Sequence, residues 1–136
     1  MTYEAAHNAI RARFNTQYSA PTQVAWPNAE FTPPTDDTTV WVRFTILDGA
    51  SRQASAGAAA NMHRHPGLVV VNIFAPLNRG DKAALETVDE VSAIFRNWQD
   101  ATTRIRFFSP EVERVGPEEK WYQINVSFMF ERDTAF

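Results

Sequence analysis

The chain has three histidines in 136 residues, and two of them, His63 and His65, stand two apart around Arg64. On a strand that spacing points both rings to one face, where they could share a metal ion. A stable site needs three or four ligands. The chain has no cysteine and His7 stands alone in a helical pattern, so a basic loop or strand end is the better reading. Carboxylates gather at Asp36-Asp37 and at Glu111, Glu113, Glu118 and Glu119. An acid–base pair needs one carboxyl raised by burial beside one left ionised. These stretches read instead as charged, solvated turns. The serines at 19, 51, 55, 92, 109 and 127 fall in no Gly-x-Ser-x-Gly elbow. Triad members need not be adjacent in sequence, but nothing positive marks one here. Five scattered glycines build no phosphate loop. The expectation is therefore a protein that is not an enzyme, with no catalytic residue, cofactor or metal.

One constellation fits contact better than catalysis. Arg52, His63, Arg64 and His65, with Arg43, form a basic patch if residues 50–66 fold back as a long hairpin. The plain alternative is an ordinary solvated loop. The Ala- and Gly-rich centre is longer than the usual hairpin connection of roughly 2–5 residues, and long loops of this kind often carry function. The patch stands out because the formal net charge is −3. A duplex-binding domain usually carries a basic excess. Met1-Thr2-Tyr3-Glu4 has no basic, then apolar, signal-peptide pattern. The run Leu68–Val71 is far below the roughly 20 residues of a membrane span.

Those residues must be positioned by a scaffold, and the material for one is present: ten Phe, four Trp and three Tyr. Tyr3, Ala6, Ile10 and Phe14 recur at helical spacing, predicting a helix over 3–16 that stops before Pro21. Val24-Ala25-Trp26 reads as a short strand ended by Pro27. Residues 27–37, with Phe31, Pro33 and Pro34, read as a semi-rigid proline arm. Thr39–Leu47 alternates, with Val40, Val42, Phe44 and Ile46 on one face and Trp41 on the other. Arg64–Ala75 is apolar on both faces and so reads as a central strand. Asp81 is a plausible N-cap for a helix with the stripe Ala84, Leu85, Val88, Val91, Phe95 and Trp98. Ile105 and Phe107 suggest a strand broken by Pro110, with a turn at Gly116-Pro117. Tyr122–Phe130 is the clearest period-two segment.

The element order implies one α+β domain over residues 1–136. Its expected form is a two-layer sandwich: an antiparallel or mixed β-sheet, two helices on one face, a long β-hairpin and a Pro-rich arm. The uncovered sheet face would carry Trp41, Leu47 and Met129 among polar neighbours, a candidate subunit interface.

Val24-Ala25-Trp26-Pro27-Asn28, Phe31-Thr32-Pro33-Pro34, Trp41-Val42-Arg43-Phe44, Arg52-Gln53-Ala54-Ser55, the strand Gly67–Pro76, and the helix with Asp89-Glu90-Val91 and Ile94-Phe95-Arg96 stand in one order along the chain. Together they resemble the phage tail terminator (tail-completion) family. The resemblance covers about residues 3–130. It implies a structural protein of the virion tail, assembled in the host bacterial cytoplasm. Such proteins form a homo-oligomeric, hexameric ring that caps the tail tube, ends its polymerisation and offers the head-joining surface. The implied partners are the tail tube protein and a head-completion or neck protein. DNA would pass through the ring without sequence-specific binding, and no membrane is involved. A ring needs two different patches per subunit. The proline arm and the free sheet edge are candidates, and the contact residues expected are Arg52, His63, Arg64, His65, Phe31, Pro33, Pro34 and Trp41. Alternatives are another neck, connector or tail-tube subunit, or a small-molecule-binding or enzymatic α+β domain, which a pocket of convergent titratable groups would favour.

Overall fold

A computed structural model of the chain describes residues 3–36, 38–53, 62–102 and 104–135. Helix α1 (Tyr3–Gln17) buries Ala6, Ile10 and Phe14, the i, i+4, i+8 stripe of the sequence pattern. A short 3-10 turn over Pro21–Gln23 leads into strand β1 (Val24–Ala25), and the proline arm follows. Strands β2 (Trp41–Asp48), β3 (Arg52–Gln53) and β4 (Met62–Pro76) come next. Helix α2 (Lys82–Phe95) separates them from β5 (Gln99–Asp100), β6 (Ile105–Glu118) and β7 (Trp121–Ala135).

The strands form one mixed sheet in the order β1-β2-β4-β7-β6-β5, with β3 also paired to β4. Among the described residues only the short β1–β2 pair is parallel; the other pairs are antiparallel. The expected α+β class with two helices and a mixed sheet is present, and the sheet curls like half a barrel. β4 and β7 are the long central pair, matched from Met62↔Ala135 to Pro76↔Trp121.

One sheet face and the inner stripes of both helices share a single apolar core. Phe95 of α2 sits among aromatic rings, with centroids 4.7 Å from Phe107, 5.3 Å from Phe128 and 6.1 Å from Phe14. Arg13 ties the helices together. Its Nε donates to the Ile94 carbonyl at 2.7 Å, and its guanidinium lies 4.7 Å from the centre of the Trp98 ring. The Glu90 carboxylate accepts from the backbone N–H and hydroxyl of Ser19 at 2.6 and 3.0 Å, holding the chain just past α1. Between β4 and β7, the Phe130 ring lies over Gly67 so closely that a Cβ there would collide with it.

Several expectations need correction. Pro110 does not end the strand, and Gly116-Pro117 is not the turn. β6 runs through both with register irregularities between Phe107 and Pro110 and between Arg114 and Gly116. A proline is tolerated there because β6 needs no ladder donor on its outer edge. The turn falls at residues 119–120, where Glu119 adopts φ 53°. Glu111 and Glu113 therefore sit on a strand. Asp81 occupies the N-cap position of α2 without a side-chain cap bond. Its Oδ2 instead accepts from Arg114 Nη1 at 3.0 Å. The base of the 50–66 segment is paired, Arg52 with Arg64 and Gln53 with His63. Its expected Gly/Ala-rich centre lies outside the described residues. No helix among the described residues is long and apolar enough to cross a membrane.

Candidate assembly interface

The face of the sheet turned away from the helices is ordered in rows, because residues of equal parity on paired strands stand side by side. At one end Trp41, Phe74 and Trp121 form a small second core. Trp41 stacks on Phe74 at 4.2 Å and meets Trp121 edge-on at 5.9 Å. Phe31 of the proline arm covers Trp41 at 5.2 Å. Trp41 is thus only 8% exposed, which corrects its expected place on an open face. Its Nε1 is buried without a hydrogen-bond partner among the described residues. The arm is fixed at its far end by Asp36. The N–H of Thr38, the hydroxyl of Thr39 and the N–H of Thr39 hold its carboxyl down to about 2.

The next row is a polar ladder across three strands. Arg43 Nε donates to Asn72 Oδ1 at 3.0 Å, and Asn72 Nδ2 donates to Asn125 Oδ1 at 2.6 Å. Gln123 Nε2 gives Asn125 Oδ1 a second bond at 2.9 Å. These bonds satisfy amides that would otherwise be stranded on a half-buried surface.

Then comes an apolar row. Leu47 pairs with Leu68, and Leu68 with Met129. Phe108, in the irregular stretch of β6, continues it. Leu47 is 52% exposed, Met129 63% and Phe108 43%. Nothing in the chain's own folding requires large apolar side chains at these positions.

The far end is a charge network. Arg64 Nε lies 3.1 Å from Asp133 Oδ1, and Arg106 holds Asp133 at 3.1 Å and Glu131 at 2.7 Å. Arg52 reaches Glu131 at 3.9 Å from the exposed rim. Burial acts to raise the Asp133 carboxyl, but Arg64 and Arg106 outweigh it and hold it below the usual carboxylate range. Three guanidinium groups face two carboxylates, so the network keeps one net positive charge.

The site residues expected from sequence thus separate into layers. Arg52 and Arg64 lie at the charged end; His63, paired opposite Thr134, shares the helix side of β4 with His65; Pro33 and Pro34 lie on the arm, and Phe31 packs inward from it. His65 faces the other way, 8% exposed on the helix side. One of its nitrogens meets Ser51 Oγ at 2.5 Å and the other Thr134 Oγ1 at 2.8 Å. Burial, then Arg132 and His63, push its pKa down, which favours the neutral ring. A serine–histidine contact is present, but a hydroxyl stands where a triad needs a carboxylate to orient the imidazole. Arg132, 2% exposed with its guanidinium 4.5 Å from the centre of the Tyr3 ring, is the buried cation the sequence reading missed. Strand parity signals both: Arg132 continues Ile124, Val126, Phe128 and Phe130, and His65 continues Val69, Val71 and Ile73.

A groove of about 380 Å³ runs between the proline arm and the edge of β2, lined by Trp26, Pro27, Ala29, Pro33, Arg43 and Thr45 among others. Its walls are mostly apolar and aromatic, with Asn28, Arg43 and Thr45 as polar members, a composition suited to receiving a side chain or a ribbon of protein.

A family model described as phage tail terminator protein matches residues 5–130. No curated protein matches the chain. Among solved structures, one chain aligns with a TM-score of 0.67 at 23% identity, over 93% of this chain and 94% of that one. That likeness shows a shared fold.

Proposed function

From a chain that belongs to the phage tail terminator protein family, a structural family of the virion tail that interacts with other tail and head proteins, we propose a ring-forming cap. One domain spanning residues 1–136 closes with copies of itself into a hexameric ring on the end of the tail tube. The ring stops tube polymerisation and presents the surface to which the head is joined. Its partners are the tail tube protein and a head-completion or neck protein, met during assembly in the host cytoplasm. DNA passes through the ring without being read.

The observation that carries this reading is the uncovered sheet face. Leu47, Leu68, Met129 and Phe108 form an apolar row between a polar ladder and a charge network, on a sheet already curled like half a barrel. Such a surface is characteristic of contact with protein. Arg52 and Arg64 contribute contacts from the charged end, and His63 from the helix side of β4. Phe31, Pro33 and Pro34 do so from the arm, with Trp41 beneath it as support. His65 acts indirectly, by fixing Ser51 at the base of the 50–66 segment.

Electron microscopy of the purified protein, alone and mixed with tail tubes, tests the proposal. Closed rings, free or seated on tube ends, are expected, and phage lacking the protein should make over-long tails that join no heads. Open tubes of this chain would identify a tube subunit instead. No ring under either condition would remove the proposal.

A further inference from the structure

The second half of β6 is exposed on both faces. Glu111 and Glu113 lie on the outer side, aligned with Ser127 and Asn125, while Val112 lies on the helix side opposite Val126. Val112 is 50% exposed and Val115 41%. The segment stays paired to β7 as an outer ribbon of the sheet, with its exposed valines beside Glu111 and Glu113 and an Arg114 that is paired to Asp81. As a backbone edge it is guarded: Pro110, Pro117, two register irregularities and the glutamates all oppose strand addition. A ribbon that displays valines but resists strand pairing is built to dock through its side chains.

The groove beside the proline arm is complementary to it. It offers Trp26, Pro27 and Pro33 to apolar side chains and Arg43 to a carboxylate. The two features sit on opposite sides of the sheet, with β4 and β7 between β2 and β6. Three strand spacings, roughly 14 Å along the sheet, prevent the ribbon from entering its own groove.

We infer that the β6 ribbon of one copy seats in the arm groove of the next, Val112 and Val115 against its apolar walls and Glu111 or Glu113 on Arg43. The occupant is a second copy of this chain because the acidic ribbon and the Arg43 groove are complementary and cannot meet within one molecule. The contact is heterologous, head to tail, which is the kind that closes rings. The inference rests on the ring proposal and specifies its subunit contact.

Two variants separate the halves of the contact. Val112→Asp with Val115→Asp spoils the ribbon and leaves the groove. Arg43→Glu with Ala29→Trp reverses the groove's charge and fills it, leaving the ribbon. All four positions are exposed, so the ribbon variant should melt close to wild type, and the groove variant, which gives up the Arg43–Asn72 bond, should stay folded with a modestly lower melting temperature. Native mass spectrometry is then run under the condition, free or on tail tubes, in which the wild type assembles. Each variant alone should associate at least about tenfold more weakly. Mixed, they should form pairs and stop at two copies, because one good contact per pair remains and neither member can extend it. A variant that still forms rings, or a mixture that forms no pairs beside an assembling wild type, overturns this contact and leaves the ring proposal standing. A wild type that assembles nowhere overturns both.

Discussion

The two faces of the central β4–β7 pair use the same strands in the same register and obey different rules. On the helix side Val69, Val71 and Ile73 meet Phe128, Val126 and Ile124 in a core that α1 and α2 close over. Every large side chain there is explained by the folding of this one chain. On the other side the same strands carry an amide ladder, an apolar row that remains exposed, and an ion network. Folding alone accounts for the ladder and the network but not for Leu47, Met129 and Phe108. Adjacent residues of one strand therefore divide between two faces, one closed by folding and one that leaves large apolar side chains open.

The largest test of that division is a charge on the core side. Val71→Asp should give no folded protein by circular dichroism, because a carboxylate would be buried without a partner. Phe128→Ala should cost about 3–5 kcal/mol and lower the melting temperature by roughly 10 °C or more. Met129→Ala, one residue along, should leave stability within about 0.5 kcal/mol while impairing assembly. A Met129 variant as unstable as the Phe128 variant would erase the distinction between the faces.

Smaller effects sharpen it. Asn72→Ala breaks the ladder in the middle and should cost about 1 kcal/mol, read by chemical denaturation. The Asp133 carboxyl lies below its ordinary value of 3.8 in the folded chain, so its contribution to stability is full above that value. It is lost as pH falls through the lowered folded value. Asp133→Asn should therefore flatten the stability–pH curve below about 3.8; an unchanged slope would show the network to be without weight. The smallest effect belongs to Arg52→Ala. Its exposed side chain and 3.9 Å pairing predict a change of no more than about 0.5 kcal/mol, beside a measurable defect in tail completion.

Alternation and helical spacing made both helices, β2, β4 and most of β7 legible in the sequence, because burying one face imposes a period. What escaped was set by pairing between distant segments. β6 passes Pro110 only because it lies at an edge, and edge position depends on the whole strand order. Trp41 reads as exposed from its parity, and only the fold-back of the arm brings Phe31 onto it. Of the expected contact residues, Arg52 and Arg64 do come together, but with Glu131 and Asp133 between them, so the basic patch is a largely compensated network. His65 was legible by parity and was misplaced because its two neighbours in sequence are charged or cyclic.

The glycine under the Phe130 ring bears on how the central pair finds its alignment. Inner residues of β4 and β7 are apolar at every second position over most of their length, so a slip of two residues would still set apolar against apolar. Periodicity alone leaves the ribbon free to pair in several frames. Gly67 breaks that degeneracy, since it is the one place on the inner row of β4 where the ring finds no Cβ. In a slipped frame the ring would fall on the Cβ of His65 or Val69 and collide with it, which disfavours that frame. The frame that Gly67 selects brings Arg64 opposite Asp133 and Leu68 opposite Met129, so one missing methyl on the hidden face dictates the pattern displayed on the visible one.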